Sequence, residues 1–187
     1  MQEITSESNK LLKKIKQLQQ KKYRNQYGQM VIEGLRFCQE AVLKNVPIEG
    51  IFISEEFFAK GQIPLAWEKY PLYKMKAGLL ENTLATVNPQ GIAAIVEQPK
   101  WDWALVEGMN NLIILDGVQD PGNVGTILRT ALAANVDGVI CLKGTVDCFN
   151  DKTLRSTMGA VFALPIYLCE DEVELQKNWP SGDSMSL

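Results

Sequence analysis

Hydrophobic positions recur along this chain at two spacings, one helical and one extended. Between residues 6 and 22, Leu11, Leu12, Ile15 and Leu18 fall at helical intervals. Lys10, Lys13, Lys14, Gln17 and Lys21 occupy the opposite side. The pattern predicts an amphipathic helix, capped by Ser6, with Glu7 at the positive end of its dipole. Arg24 and Gly28 fall in the loop that follows. The order then predicts a strand at 29–33, a helix at 35–44 and a β-branched strand at 48–53. A short helix at 55–60, a strand at 71–75, a helix at 77–84, a turn at Asn88-Pro89-Gln90-Gly91 and an apolar strand at 92–96 follow. Alternating elements of this kind predict a small α/β domain spanning residues 1–97.

The periodicity lapses between 98 and 110, where Gln98-Pro99-Lys100-Trp101-Asp102-Trp103 opens an aperiodic linker. The two tryptophans there are read as packing the linker against a domain, at about three to one over stacking on bases. A second α/β unit, 111–187, carries longer apolar strands: 112–118, 138–142 and 166–169. Helices are expected at 123–135, 150–164 and 171–178, and strands this uniformly apolar predict a parallel sheet covered on both faces. The chain closes on the polar run Ser181–Leu187, leaving a small, unfinished doubly wound sheet. An exposed apolar face or edge is expected, an association liability.

Composition changes this picture in three places. The 187 residues carry a net charge of -3, but residues 1–44 hold nine Lys and Arg against four Asp and Glu. The remainder holds ten basic and eighteen acidic residues. That asymmetry fits a basic, RNA- or DNA-facing N-terminus and equally a solvated lysine face on a surface helix. The four cysteines form no C-x-x-C pair, and histidine is absent. A zinc site and every Ser-His, Cys-His or His-based acid–base mechanism are therefore disfavoured, and the thiols read as reduced cytoplasmic residues. There is neither a signal-like apolar stretch at the N-terminus nor a run of bilayer length, so no membrane partner is expected.

Two constellations could carry chemistry. The strand from Leu112 runs into Asp116-Gly117-Val118-Gln119-Asp120-Pro121-Gly122, and a helix opens with Asn123, Gly125 and Arg129 spaced N-x-G-x-x-x-R. Strand, glycine-bearing loop and helix N-terminus form the arrangement that presents N–H groups to an anion. Gly125 and Arg129, four apart, would share a face, setting a guanidinium beside bare backbone. The competing reading makes Asn123 a cap, the glycines turn and packing residues, and Arg129 a surface ion pair. Lys152, Arg155, Ser156 and Gly159 stand at i, i+3, i+4 and i+7 of the later helix. They form either a stripe for a phosphodiester backbone or a close-packing face with solvated cations.

Together these residues resemble a known family. Asp120-Pro121-Gly122-Asn123-Val124-Gly125-Thr126-Ile127-Leu128-Arg129-Thr130 is similar to the first motif of the SpoU (TrmH-like) RNA ribose methyltransferases. The Lys152…Arg155-Ser156…Gly159-Ala160…Phe162…Pro165 segment resembles the stretch that follows it. Leu11–Lys22 and Val31-Ile32-Glu33-Gly34 are similar to that family's substrate-binding domain, which has a ribosomal-protein-like α/β fold. The resemblance implies a catalytic α/β-knot (SPOUT) domain, a homodimer, and methyl transfer from S-adenosylmethionine to a ribose 2′-hydroxyl of rRNA or tRNA. It casts Arg129 as the residue that holds or helps deprotonate the hydroxyl, Asn123 as shaping that site, and Gly125 as admitting the nucleotide. Because a guanidinium stays charged, the role of Arg129 ranks as positioning and electrostatic first.

Lys152, Arg155 and Ser156, with Lys13, Lys14 and Arg24 of the basic N-terminus, are the further candidate RNA contacts. The family's glycine–glutamate and serine–leucine–asparagine motifs, which build the knot, most of the cofactor pocket and much of the dimer interface, are not found in 169–187. The expectation is therefore an incomplete S-adenosylmethionine site and an impaired dimer. Two other readings stand beside the enzyme: a non-catalytic RNA-binding module retaining the substrate domain, and an unrelated nucleotide-binding α/β protein.

Overall fold

The structure, a computed structural model, describes residues 1–178 apart from Gln62 and Val87; the expected polar run 181–187 lies outside the described residues. The elements run β1 (Gln2–Ile4), α1 (Lys10–Leu18), α2 (Lys21–Tyr27), β2 (Gln29–Glu33), α3 (Leu35–Leu43), β3 (Ile48–Ser54), α4 (Glu55–Ala59), β4 (Leu72–Met75) and β5 (Ile92–Glu97). There follow β6 (Leu112–Leu115), α5 (Pro121–Ala133), β7 (Gly138–Leu142), α6 (Asp151–Thr157), β8 (Ile166–Cys169) and α7 (Glu172–Asn178).

The first sheet is mixed, in the order β1-β4-β3-β5-β2. β1 and β3 pair parallel to β4, and β5 runs antiparallel to both β3 and β2. Side chains alternate across it with period two. Ile51 and Ile53 of β3, with Ile92, Ala94 and Val96 of β5, face one core. Phe52, Ala93 and Ile95 face the other, where they meet Leu12, Ile15 and Leu18 of α1. Those three α1 residues are almost wholly buried, each contributing about 2 kcal/mol by leaving water.

The second sheet is parallel, in the order β6-β7-β8. Leu115, Val139, Cys141 and Ile166 point into the same core as the first sheet's inner face, together with Val124 and Leu128 of α5. Phe37 of α3 meets Phe162 at 5.3 Å between ring centroids, so apolar contacts run continuously from one unit into the other. The opposite face of the parallel sheet is covered by the 98–110 stretch, which forms a 3-10 helix over Trp103–Gly108. Trp103 packs on Tyr167 at 4.8 Å, and Val106 and Leu175 of α7 complete that layer. The tryptophans are thus packing residues.

Five expectations of local structure are corrected. The helix expected over 6–22 is two helices preceded by a strand: Asn9, not Ser6, caps α1 by accepting from Leu11 N at 2.8 Å. Arg24 lies in α2, not in a loop, and reaches back to the terminal carbonyls of α1, so the chain bends between them. Residues 77–84 form successive turns, with Gly78 at φ +78° interrupting any helix. The strand from Leu112 ends at Leu115, because the loop beyond it is tied sideways: Val118 O accepts from Val146 N at 2.9 Å. The helix expected over 150–164 stops at Thr157, where Met158 and Gly159 both take left-handed backbone, and 160–162 is a separate 3-10 turn.

Candidate functional site

α5 starts at the C-terminal edge of the parallel sheet, two residues earlier than the sequence pattern suggests. Asp120 is its cap: the carboxylate accepts from Asn123 N at 2.8 Å, and Pro121 supplies the preorganised first turn. Asn123 is therefore inside the first turn, and capping is not its role. Its side chain is exposed, as are those of Thr126, Arg129 and Thr130, which follow at i+3, i+6 and i+7. These four residues form one polar stripe on the outer face of α5. Among the described residues, Arg129 makes neither a hydrogen bond nor an ion pair.

Gly125 does not share that stripe. It is buried against α6, where an added Cβ would stand 2.3 Å from Ser156 Cβ and 2.8 Å from Thr153 O. The bare backbone serves a close helix–helix approach and is not open to a nucleotide, which corrects the expectation that Gly125 binds substrate. The gain is indirect: α6 is held against α5 close enough that both helices present their polar faces at one edge.

On α6, Asn150 caps the helix through Thr153 N at 2.9 Å. Lys152 is exposed, and Ser156 donates its hydroxyl back to Lys152 O at 3.1 Å. Arg155 donates through Nη1 to Thr86 Oγ1 at 2.8 Å and to Asp151 at 3.1 Å. The same Thr86 hydroxyl donates to the Glu33 carboxylate, whose other oxygen accepts from Gln90 N at 3.0 Å. One hydroxyl thus joins α6 to the end of β2. Gly159, at φ +92° beyond the helix, leaves the stripe expected for it.

Of the basic N-terminal candidates, Lys13 is exposed on α1. Lys14 is half-buried in an ion pair with Glu49 at 2.6 Å and lies over the Tyr27 ring. Arg24 is the clear departure from an RNA-facing role. Its guanidinium is 5% exposed, donating to Leu18 O at 2.9 Å, to Gln19 O at 2.8 Å and to the Asp147 carboxylate of the second unit. Burial, with three hydrogen bonds to protein oxygens on both units, makes it a tether between the units. Sequence reasoning missed Thr86 and Asp147, because neither stands in a pattern; their partners lie 69 and 123 residues away.

The loops after β6 and β7 close on each other through Thr145 Oγ1, which donates to Leu115 O at 2.9 Å. Beneath them Cys141 and Cys148 are buried with Sγ atoms 3.2 Å apart. Their mutual hydrogen bond, with burial second, pushes the Cys148 thiol far above its ordinary range; burial, with Glu33 adding, does the same to Cys38. The Cys38 and Cys148 thiols stay protonated and offer no nucleophile. Among the described residues no three metal-ligating side chains cluster, and no helix is long and apolar enough to cross a membrane.

Known proteins share this arrangement along the whole chain. Residues 9–94 match the MRM3-like substrate binding domain, and residues 110–184 match the SpoU rRNA Methylase family. The Bacillus subtilis 23S rRNA (guanosine(2553)-2'-O)-methyltransferase RlmP is 35% identical over 167 residues, 89% of this chain and 64% of that protein. A TrmH family tRNA/rRNA methyltransferase described as putative, from Staphylococcus aureus, is 32% identical over 81% of this chain and 68% of its own length. The chain thus spans less than two thirds of the Bacillus relative. The crystal structure of an rRNA methyltransferase from Sinorhizobium meliloti superimposes with a TM-score of 0.79 at 30% identity, covering 94% of this chain and 68% of that one. That protein is also known with AdoMet bound. An MRM3-like substrate-binding unit followed by the N-x-G-x-x-x-R helix on a parallel sheet makes this chain a member of the SpoU (TrmH-like) rRNA methyltransferase family.

Proposed function

We propose that this chain carries the RNA-binding unit and the ribose-facing half of an rRNA 2′-O-methyltransferase site. The observation that carries the reading is Arg129: a cation of the family's first motif, exposed on the outer face of the helix that begins at the C-terminal edge of the parallel sheet and free of any described intramolecular partner. A guanidinium kept unpaired at such a place is available to a phosphate and to the hydroxyl beside it. It does not accept a proton, since it remains charged at all accessible pH. Its part is to hold the nucleotide and to stabilise negative charge as it develops on the 2′-oxygen. Asn123, on the same stripe of α5, orients the same sugar through its amide. Lys152 and Ser156 extend the polar edge toward the neighbouring phosphate.

The methyl donor of the family is S-adenosylmethionine. At the C-terminal edge of β7 and β8, residues from Leu142 to Asp147 and from Leu168 to Glu170 line a recess of about 100 Å³. Sites that enclose a ligand of that size run to roughly 300 Å³ or more. The size of this recess supports the reading that the described residues supply only part of the cofactor site. That small recess also favours the second reading, an RNA-binding module without catalysis of its own.

Two measurements separate these. Purified chain should bind an rRNA fragment with a steep negative dependence on salt; absence of binding at low salt overturns the proposal. Calorimetric titration with S-adenosylmethionine should show no tight site, and one-to-one micromolar binding would establish a complete pocket. Transfer of labelled methyl to the RNA by this chain alone would rule out the non-catalytic reading. The free thiols Cys38, Cys141, Cys148 and Cys169 fit a reducing compartment such as the cytoplasm.

A further inference from the structure

A sizeable cleft lies away from Arg129. It opens between the two units, about 610 Å³ in volume, where the N-terminus of α3 and the end of α4 face the C-terminal end of α6. Three cations line it: Arg36, Lys60 and Arg155. Arg36 and Lys60 are exposed, and their side chains have no partner among the described residues, whereas Arg155 is tied to Thr86 and Asp151. The one acid on the wall, Glu33, has both oxygens engaged, by Thr86 and by Gln90 N. The cleft therefore presents unspent positive charge.

Its other wall is apolar. Phe57 lies at the base, and Met158 stands 53% exposed at the mouth. Met158 also holds φ +51°, a left-handed conformation that costs a side-chain-bearing residue free energy and is usually left to glycine or asparagine. Its left-handed backbone ends α6 by donating to Arg155 O, and it sets the exposed side chain against a cationic cleft.

Paired cations beside an exposed apolar surface match the chemistry of a single-stranded nucleotide, whose phosphate needs charge and whose base needs a sequence-tolerant apolar face. We infer that this inter-unit cleft seats an unpaired nucleotide of the substrate RNA, with its phosphate on Arg36 and Lys60 and its base against Met158. α6 connects the two places: Arg155 faces the cleft while the adjacent Ser156 packs on α5, the helix that carries Arg129. A strand crossing α6 would lie in the cleft on one side and reach the ribose-facing stripe on the other.

The inference rests on the RNA reading above, and the test keeps the two apart. Binding of the intact chain to an rRNA fragment is measured across a salt series. Beside the wild type are R36E/K60E, M158G, and a control K69E/K177E with the same charge change outside the cleft. R36E/K60E should weaken binding roughly tenfold and flatten the salt slope by about 0.7, the value for one lost single-strand phosphate contact. M158G relieves the left-handed strain, so it should melt no lower than wild type and still bind RNA several-fold more weakly. If R36E/K60E unfolds, R36Q/K60Q supplies the same reading. Wild-type binding with R36E/K60E (or R36Q/K60Q) and M158G indistinguishable from the control overturns the cleft and leaves the proposed function standing. Failure of the wild type to bind RNA overturns both.

Discussion

Arg24 and Arg129 are the same side chain put to opposite uses by the two sheets. In the first unit the mixed sheet is buried on both faces, and three cations around it are consumed internally: Arg24 by Asp147 and two carbonyls, Lys14 by Glu49, Lys74 by Glu3. In the second unit the parallel sheet ends in loops and a helix whose outer stripe, Asn123, Thr126, Arg129 and Thr130, is exposed. The contrast separates architecture from chemistry better than residue type does. A cation already paired has little left for a ligand, and an unpaired one placed at a ligand-binding edge contributes little to folding.

That contrast can be broken in order of effect. Arg24→Ala should cost the most, about 3 kcal/mol in urea unfolding, because it strands a partly buried Asp147 and two α1 carbonyls; a loss below 1 kcal/mol would mean the tether is ornamental. Gly125→Ala should follow at about 2 kcal/mol, since the new methyl meets Ser156 and the Thr153 carbonyl, whose backbone cannot move aside cheaply. If instead it folds like wild type and loses RNA, Gly125 is a substrate residue after all. Asp120→Ala should cost about 1 kcal/mol through the lost cap, whereas Asn123→Ala leaves the melting temperature unchanged.

Arg129→Ala should shift stability by less than about 0.5 kcal/mol while depressing RNA affinity, which checks the comparison from its other side. The smallest effect concerns pH. Asp137 accepts from Asn110 N and Asn111 N at 2.9 Å each, and those bonds lower its pKa. With the folded value depressed, its contribution is present above the ordinary carboxylate range and is lost as pH falls through the lower folded value. Asp137→Asn should therefore flatten acid unfolding in that window, and an unaltered profile would remove Asp137 from the account.

Sheet residues were legible where strands are buried. β5 and β7 fall where the apolar runs place them, because a strand covered on both faces must be apolar throughout. Helix ends were legible less often. The periodicity over 6–22 is real, since Leu12, Ile15 and Leu18 are buried, yet hydrophobic spacing carries no mark of the break that Arg24 makes by capping α1. β1 was not visible at all: three residues with one buried side chain, Ile4, hold as a strand only through pairing with β4.

The candidate site divides the same way. The N-x-G-x-x-x-R spacing, the exposed arginine and the helix that carries them follow from the sequence, because motif and periodicity are local properties. Which side of α5 each residue takes was settled only by packing: Gly125 turns inward because α6 lies there, and Asn123 loses its capping role because Asp120 and Pro121 begin the helix first. Nothing local in the sequence links Arg24 to Asp147 or Thr86 to both Glu33 and Arg155. Those contacts join residues far apart along the chain, and the cleft bounded by Arg36, Lys60 and Met158 exists only once the two units share a core. The sequence alone determined the family and most of the buried strands, whereas only tertiary packing decided where helices end, which cations are spent on folding and which stay free of protein partners.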